Sequence, residues 1–227
     1  DKADFAMRIF NADGSEAMMC GNGIRCFAKY LYERKIVPSR KMTIETLAGI
    51  IKPEVILDDN GNVTVVEVDM GEPVLAGQAI PTTFDKEKVV MEPVEINGRE
   101  FLITAVSMGN PHCVVFVKDT DSIEIEKVGP QFENCELFPE RVNTEFVQII
   151  NENTLKMRVW ERGSGETWAC GTGACAAAVA AAENGYCKKG AKIRLLLRGG
   201  ELEIVYTDDA VFMTGGAQKV FEGTVEV

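Results

Sequence analysis

The sequence predicts an α+β protein of two pseudo-symmetric domains, each a mostly antiparallel sheet wrapped around a central helix. The main observation is an ungapped internal repeat, in which residues 7–33 align with residues 157–183. "MRIFNADGSEAMMCGNGIRCFAKYLYE" falls on "MRVWERGSGETWACGTGACAAAVAAAE" with eight identities in 27 positions, where roughly one or two arise by chance. Two copies 150 residues apart indicate two similar domains, because a solenoid needs more and closer repeats.

Each copy of the repeat predicts a strand, a turn and a helix. "MRIFN" and "MRVWE" are short and apolar, as strands are, and "ADGSEA" and "RGSGET" carry turn residues. "GIRCFAKYLYERK" and "GACAAAVAAAENG" are helical segments, ended by Pro38 and by Asn184-Gly185. The second helix is almost entirely alanine and valine, so we expect it to be buried on every side.

Strands make up most of the remaining chain. Short apolar runs alternate with tight turns such as Asn60-Gly61 and Gly199-Gly200, which is typical of antiparallel pairing. One further helix is predicted in "IEIEKVGPQFENCELFP". We expect a first domain over residues 1–71 and a second over 72–216, with a strand over 217–227 returning to the first. Since the chain begins at Asp1 and enters a strand almost at once, we expect an N-terminally truncated first domain.

Composition narrows the classes of function. The net charge of −11 argues against nucleic acid or an anionic membrane as a partner, and no apolar run is long enough to span a bilayer. Seven cysteines, an odd number, indicate a reducing cytoplasm rather than a disulfide scaffold. With one histidine and no Cys-x-x-Cys pair, no metal site is predicted.

The repeated cysteines, Cys20 and Cys170, each precede a Gly-x-Gly and a helix. Backbone N–H groups at a helix N-terminus favour a thiolate and can bind a carboxylate. Two such sites in pseudo-symmetric domains predict inversion at a carbon at the domain interface, with one sulfur removing a proton and the other delivering one. The five other cysteines lack a repeat partner of their own type, and we interpret them as packing or surface thiols.

Four segments carry a resemblance to a known family: "NADGSEAMMCGNGIRC", "GNPHCVVFV", "ERVNTEF" and "VWERGSGETWACGTGACA". In this order they resemble the signatures of the diaminopimelate epimerase family, over essentially the whole chain. The resemblance implies interconversion of LL- and meso-diaminopimelate, in lysine and peptidoglycan biosynthesis, by a two-base mechanism with paired cysteines. It implies no pyridoxal phosphate, no metal and no other cofactor, and it leaves a homodimer open.

The resemblance also implies roles for individual residues. Cys20 and Cys170 match the catalytic acid/base pair, and His112 and Glu161 match residues important for activity. The substrate-binding positions are matched by Asn11, Gly21, Asn22, Asn110, Asn143, Glu161, Arg162, Gly171 and Thr172. Arg162 is suited to grip a distal carboxylate with two hydrogen bonds. Turn formation for the asparagines, a solvated ion pair for Glu161 and Arg162, and a buried hydrogen bond for His112 are the structural alternatives.

The chain departs from the family pattern at its beginning. Members of the family carry several dozen residues before the strand that opens this sequence. That segment would complete the first domain and supply further substrate contacts, including an asparagine and a glutamine.

Three alternatives stay open. A proline or hydroxyproline racemase of the same fold also uses two cysteines, but Asn11, Asn143 and Arg162 favour a substrate with a second charged end. The second alternative is a non-catalytic binding domain, or a relative such as the phenazine-biosynthesis isomerases, which keep the fold without the cysteines; the presence of both cysteines argues against the latter. The third alternative is a redox enzyme, since Cys20 and Cys170 could form a disulfide if their sulfurs lie close together; that disulfide would be an oxidised, inactive state of the same site.

Overall fold

The computed structural model describes residues 3–10, 14 and 16–224 of the chain. The chain divides into two compact units, one made of residues 1–68 with 214–227 and the other of residues 69–213. The predicted boundaries after residues 71 and 216 lie close to these limits, and the assignment of two independent domains stays a prediction.

The first unit combines short strands with one helix. Its elements are β1 (Phe5–Ala6), β2 (Ile9–Phe10), β3 (Glu16–Ala17), α1 (Gly21–Glu33), β4 (Ile44–Thr46), β5 (Gly49–Leu57) and β6 (Val63–Asp69). Strands β1, β4, β5 and β6 are neighbours in that order, with β1 parallel to β4 and β4 antiparallel to β5. Strands β2 and β3 form a separate antiparallel hairpin.

The second unit is a long, mostly antiparallel sheet with two helices. It contains β7 (Glu92–Ile96), β8 (Arg99–Ser107), β9 (Pro111–Phe116), α2 (Ile125–Glu133), β10 (Asn143–Asn151), β11 (Thr154–Glu161), β12 (Gly165–Thr167), α3 (Gly171–Glu183), β13 (Lys192–Leu197), β14 (Gly200–Tyr206) and β15 (Val211–Gly215). The strand order is β15-β14-β13-β11-β10-β9-β8-β7, and β12 pairs with β11.

Antiparallel pairing dominates this sheet. The pairs β7–β8, β8–β9, β10–β11, β11–β12 and β13–β14 are antiparallel, whereas β9–β10 and β11–β13 are parallel. The predicted α+β class with mostly antiparallel sheets is therefore confirmed.

The two repeat helices differ in how they are buried. Ten of the 13 residues of α3 are buried, and the helix packs against β8, β9, β10, β11, β13 and β14, so the prediction of burial on every side is confirmed. Helix α1 packs against β5 and buries Ile24, Ala28 and Leu31, whereas Cys26 and Tyr30 on its other side are exposed. This contrast follows from the sequence, because α1 is amphipathic and α3 is apolar throughout.

The repeat itself extends further than the strand, turn and helix that the sequence predicts. In both copies a second short strand returns along the first, and the registers correspond: Ile9 pairs with Ala17 and Val159 pairs with Thr167. The same ion pair closes both hairpins, Arg8–Glu16 in the first and Arg158–Glu166 in the second. These matched registers support the internal duplication.

One predicted element is wrong where the structure describes it. Residues 216–224 have no regular secondary structure, so the strand predicted over 217–227 does not form across residues 217–224. The last described strand, β15, ends at Gly215. The last three residues lie outside the described part of the chain.

A second prediction concerned membranes. Within the described ranges, none of the helices combines the length and the apolar character that crossing a bilayer requires.

Candidate active site

In the first unit, Cys20 is the N-cap of helix α1. Its backbone is extended, with φ −135° and ψ 112°, and its Sγ accepts a hydrogen bond of 3.3 Å from the Gly23 N–H. The sulfur therefore takes the position in which serine, threonine or aspartate usually satisfies a first-turn donor. Because Cys20 is only partly buried, the thiol lies at a helix N-terminus within reach of solvent.

Arg25 holds the loop residues that follow this cysteine. This buried guanidinium donates from Nη1 to the Gly21 carbonyl and from Nη2 to the Asn22 Oδ1, each at 3.0 Å. Both residues were predicted to bind substrate, and Arg25 fixes the orientation of the Asn22 amide. Asn11, the remaining predicted ligand of this half, lies outside the described residues.

In the second unit, Cys170 is the N-cap of helix α3 with almost the same geometry. Its φ of −121° and ψ of 116° are extended, and its Sγ accepts from the Gly173 N–H at 3.4 Å. The Thr172 Oγ1 lies 3.4 Å from the same sulfur. Gly171, the first residue of the helix, is buried, so the predicted residues of this loop lie together around the Cys170 thiol.

Burial separates Cys170 from Cys20. Cys170 is 7% exposed, and burial raises the pKa of its thiol; the Glu161 and Glu145 carboxyl groups raise it further, against the lowering effect of Thr172 and Gly173. Desolvation of the charged form thus outweighs the helix N-terminus. The sequence predicts a favoured thiolate at both cysteines, whereas burial in the structure disfavours the thiolate at Cys170.

Asn110, His112 and Asn143 come together through the parallel pairing of β9 and β10. Asn143 lies opposite His112 in the register, and Asn110 comes directly before β9, two positions ahead of His112. The His112 Nε2 lies 3.1 Å from the Asn110 Oδ1. These three predicted residues therefore lie together in the second unit.

Glu161 and Arg162 lie at the end of β11, which runs antiparallel to β10. The Arg162 backbone N–H donates to the Asn143 Oδ1 at 2.8 Å, and the Thr167 hydroxyl donates to Glu161 Oε1. The Arg162 guanidinium donates from Nη1 to the Glu140 carbonyl at 2.9 Å. Asn143 therefore orders the Glu161–Arg162 turn, a structural role that the sequence did not predict.

Two buried carboxyl groups in this unit are not found by sequence reasoning. Glu133 of α2 accepts from the Trp160 Nε1 at 2.7 Å and from the Gly163 N–H at 2.9 Å, which holds both sides of the Glu161–Arg162 turn. Glu145 contacts His112, with 2.7 Å between its Oε1 and the His112 Nδ1. The available signal for Glu145 was a charged residue in the apolar run "NTEFVQII", two positions after Asn143 and so on the same strand face.

Comparison with known proteins gives a consistent set of matches. A family model described as diaminopimelate epimerase matches residues 1–76 and 104–220. Diaminopimelate epimerase of Acetivibrio thermocellus is 53% identical over 229 residues, which cover 100% of this chain and 81% of that protein. The enzyme of the same name from Agathobacter rectalis is 51% identical over 236 residues, covering 100% of this chain and 82% of that protein.

Among solved structures, a probable proline racemase from Agrobacterium radiobacter superposes with a TM-score of 0.68. It covers 93% of this chain and 68% of its own, at 16% sequence identity. At that identity the likeness shows a shared fold.

Proposed function

The chain belongs to the diaminopimelate epimerase family of pyridoxal-phosphate-independent amino-acid epimerases, and from this premise we propose that it interconverts LL- and meso-diaminopimelate with Cys20 and Cys170 as its acid/base pair. The observation that carries the assignment of residues is that each cysteine caps the N-terminus of a helix in an equivalent copy of the repeat. The reaction serves lysine and peptidoglycan biosynthesis.

Inversion at the α-carbon sets the requirements for the two thiols. One group must remove the α-proton from one face, and a second must deliver a proton to the opposite face. Burial and the neighbouring carboxyl groups raise the pKa of the Cys170 thiol, which favours its protonated form. We therefore assign Cys170 as the acid in the direction in which Cys20 is the base, and the roles exchange for the other stereoisomer.

The helix N-termini supply the stabilisation of charge. The N–H groups of Gly21, Asn22, Gly171 and Thr172 lie in first helical turns, where no carbonyl of the same helix is available to them. Such groups, together with the positive end of the helix dipole, favour a carboxylate and the negative charge that develops on it as the proton leaves.

The second charged end of the substrate needs its own contacts. We propose that the Arg162 guanidinium grips the distal carboxylate, with Asn11, Asn110, Asn143 and Glu161 as further polar contacts. The turn that carries Arg162 is supported by Asn143 and by Glu133, so the guanidinium is attached to an ordered backbone.

Exchange of the α-proton with solvent tests the proposal. In deuterated water the protein should convert LL-diaminopimelate to the meso form with deuterium at the inverted α-carbon, and it should leave proline unlabelled. Cys20→Ser and Cys170→Ser should each lower kcat by a factor on the order of 100 or more, because each removes a proton-transfer group.

Cys26→Ser is the matched control, since Cys26 is exposed and has no partner in the repeat, and its activity should equal that of the unaltered protein. Deuterium in proline but not in diaminopimelate, or full activity after loss of Cys20 or Cys170, would contradict the assignment.

We further propose that the protein works in the cytoplasm as a homodimer. The cysteine content and the family support the compartment. Sedimentation equilibrium at micromolar concentration tests the dimer, and a mass of one chain at all concentrations would exclude it. Cell fractionation tests the compartment.

A further inference from the structure

Three side chains of the second unit form a continuous hydrogen-bonded chain. The Glu145 Oε1 lies 2.7 Å from the His112 Nδ1, and the His112 Nε2 lies 3.1 Å from the Asn110 Oδ1. His112 and Glu145 have no exposed surface. Glu145, at one end of these hydrogen-bonded side chains, has no role in the proton transfers proposed above.

The second oxygen of Glu145 is unusual. Its Oε2 is buried and has no hydrogen-bond partner among the residues that the structure describes. A carboxylate oxygen in that position would carry negative charge without water or a donor, which is strongly unfavourable, whereas the carbonyl oxygen of an un-ionised acid tolerates it better.

The hydrogen bonds among Glu145, His112 and Asn110 restrict where their protons lie. An amide oxygen only accepts hydrogen bonds, so the His112 Nε2 carries a hydrogen that it donates to Asn110. The proton between Glu145 and the His112 Nδ1 then belongs either to a carboxylic acid facing a neutral ring or to an imidazolium facing a carboxylate. The second arrangement buries two charges, and their desolvation is only offset when all their remaining groups are paired.

The surroundings of Glu145 favour the un-ionised acid. Burial raises the pKa of this carboxyl, the imidazole of His112 lowers it, and the carboxyl of Glu161 raises it again. The other titratable groups that face it are the thiols of Cys113 and Cys170, and a charged Glu145 would disfavour the thiolate of either.

We propose that Glu145 is a positioning residue which, as an un-ionised acid, donates a hydrogen bond from its carboxyl O–H to the His112 Nδ1 and thereby fixes the orientation of Asn110. The His112 Nε2–H then donates to the Asn110 Oδ1, and the Asn110 amide N–H2 group is free to donate to a carboxylate of the substrate. The part of this inference that concerns substrate rests on the proposed function; the protonation of Glu145 and His112 does not.

A glycine in the first turn of helix α3 lies against the Glu145 carboxyl. A Cβ atom on Gly173 would lie 2.5 Å from the Glu145 Oε1, which is closer than Cβ atoms come to non-bonded atoms in real structures. The second glycine of "CGTG" therefore leaves room for the Glu145 carboxyl.

The protonation states are tested by nitrogen NMR on the unaltered protein. His112 is the only histidine in the sequence, so ¹⁵N-histidine labelling gives one unambiguous ring. The expected result at neutral pH is a neutral ring with a protonated Nε2 and an Nδ1 that accepts a hydrogen bond. A ring protonated at both nitrogens, or protonated at Nδ1 alone, would overturn the proposal, and neither outcome depends on enzymatic activity.

Two uncharged substitutions of similar size then test whether position 145 needs a hydrogen-bond donor. Glu145→Gln keeps an N–H donor toward the His112 Nδ1, so KM for diaminopimelate should stay within about threefold of the unaltered value, whereas Glu145→Met has no donor and should raise KM on the order of tenfold. Glu183→Gln is the control, because Glu183 lies at the far end of α3 on Lys88 and Tyr206, and its KM should not change. Equal KM values for the Met variant and the unaltered protein, or an equal loss in the Gln and Met variants, would overturn the proposal.

Alkylation of Cys170 tests the charge of Glu145 without relying on enzymatic activity. Replacing an un-ionised acid by an amide leaves the charge near the sulfur unchanged. Iodoacetamide should therefore alkylate Cys170 of the Glu145→Gln variant at the same rate as in the unaltered protein at neutral pH. If Glu145 were ionised, its removal would speed that reaction on the order of tenfold for each unit by which the thiol pKa falls, and the proposal would fail. Cys20 in the same sample serves as the internal reference.

Discussion

At the residue scale, desolvation decides the chemistry of the buried polar groups. Cys170 accepts a backbone N–H at a helix N-terminus, as Cys20 does, and still its pKa is raised because burial and the nearby carboxyl groups dominate. Glu145 shows the same balance, since burial raises the pKa of its carboxyl although a histidine lies 2.7 Å away. Residue type and helix position alone therefore do not give the protonation state.

The raised pKa of Glu145 makes stability depend on pH with a definite sign. Between the ordinary glutamate value of 4.5 and the raised value in the folded protein, the unfolded chain loses this proton while the folded protein keeps it, so the unfolded state binds fewer protons and the free energy of unfolding falls as pH rises. Urea unfolding of the unaltered protein and of Glu145→Gln, from about pH 5 to about pH 8, should show the unaltered protein losing stability relative to the variant. A difference that stays constant over this range would contradict a raised pKa of Glu145 in the folded protein.

At the scale of elements, the two repeat helices share length and cap but differ in their neighbours. Both have 13 residues and a cysteine N-cap whose sulfur accepts from the second glycine of the Gly-x-Gly. A Cβ on Gly23 would make ordinary contacts of 3.5 Å with the Cys20 side chain, whereas one on Gly173 would collide with Glu145. The same motif is thus tolerant in one copy and intolerant in the other.

Alanine at these two glycines provides a matched comparison. Gly23→Ala should leave the free energy of unfolding unchanged or raise it by up to about 1 kcal/mol, because alanine favours the helical backbone. Gly173→Ala should lower it by about 1–3 kcal/mol through overpacking, and it should shift the His112 nitrogen signals by displacing Glu145. Denaturant unfolding and ¹⁵N NMR measure both effects, and equal responses of the two variants would contradict the contrast.

At the scale of the whole molecule, a duplication accounts for the repeated hairpin, ion pair, cysteine cap and helix. The copies have been buried to different degrees: the side chains of Arg8 and Glu16 are 68% and 22% exposed, against 18% and 10% for Arg158 and Glu166. Glu166 also contacts Arg198 at 2.7 Å. The corresponding carboxyl groups should therefore contribute unequally to stability.

The glutamine variants of this pair measure that inequality. Glu16→Gln should leave the free energy of unfolding nearly unchanged, because solvent screens an exposed ion pair. Glu166→Gln should lower it by about 1–3 kcal/mol, since two charge-assisted interactions with arginine are lost in a largely buried site. Chemical denaturation of both variants at one salt concentration is the measurement, and a larger effect at Glu16 would show that burial does not set the contribution.

The sequence alone was sufficient for everything that depends on local pattern. The duplication, the α+β class, the helices after Cys20 and Cys170, the buried character of α3 and the resemblance to the diaminopimelate epimerase family all follow from spacing, composition and motifs. The relatives at 53% and 51% identity agree with that family rather than with the proline racemases, with which the chain shares its fold.

Only the tertiary structure decided what depends on contacts distant in the chain. It shows that residues 217–224 form no strand, that Asn143 and Glu133 order the Arg162 turn, that burial raises the pKa of the Cys170 thiol, and that Glu145 contacts His112 across 33 positions of sequence. The physical reason is that hydrophobic period and turn residues act over a few positions, whereas desolvation and hydrogen bonding depend on which groups the folded chain places side by side.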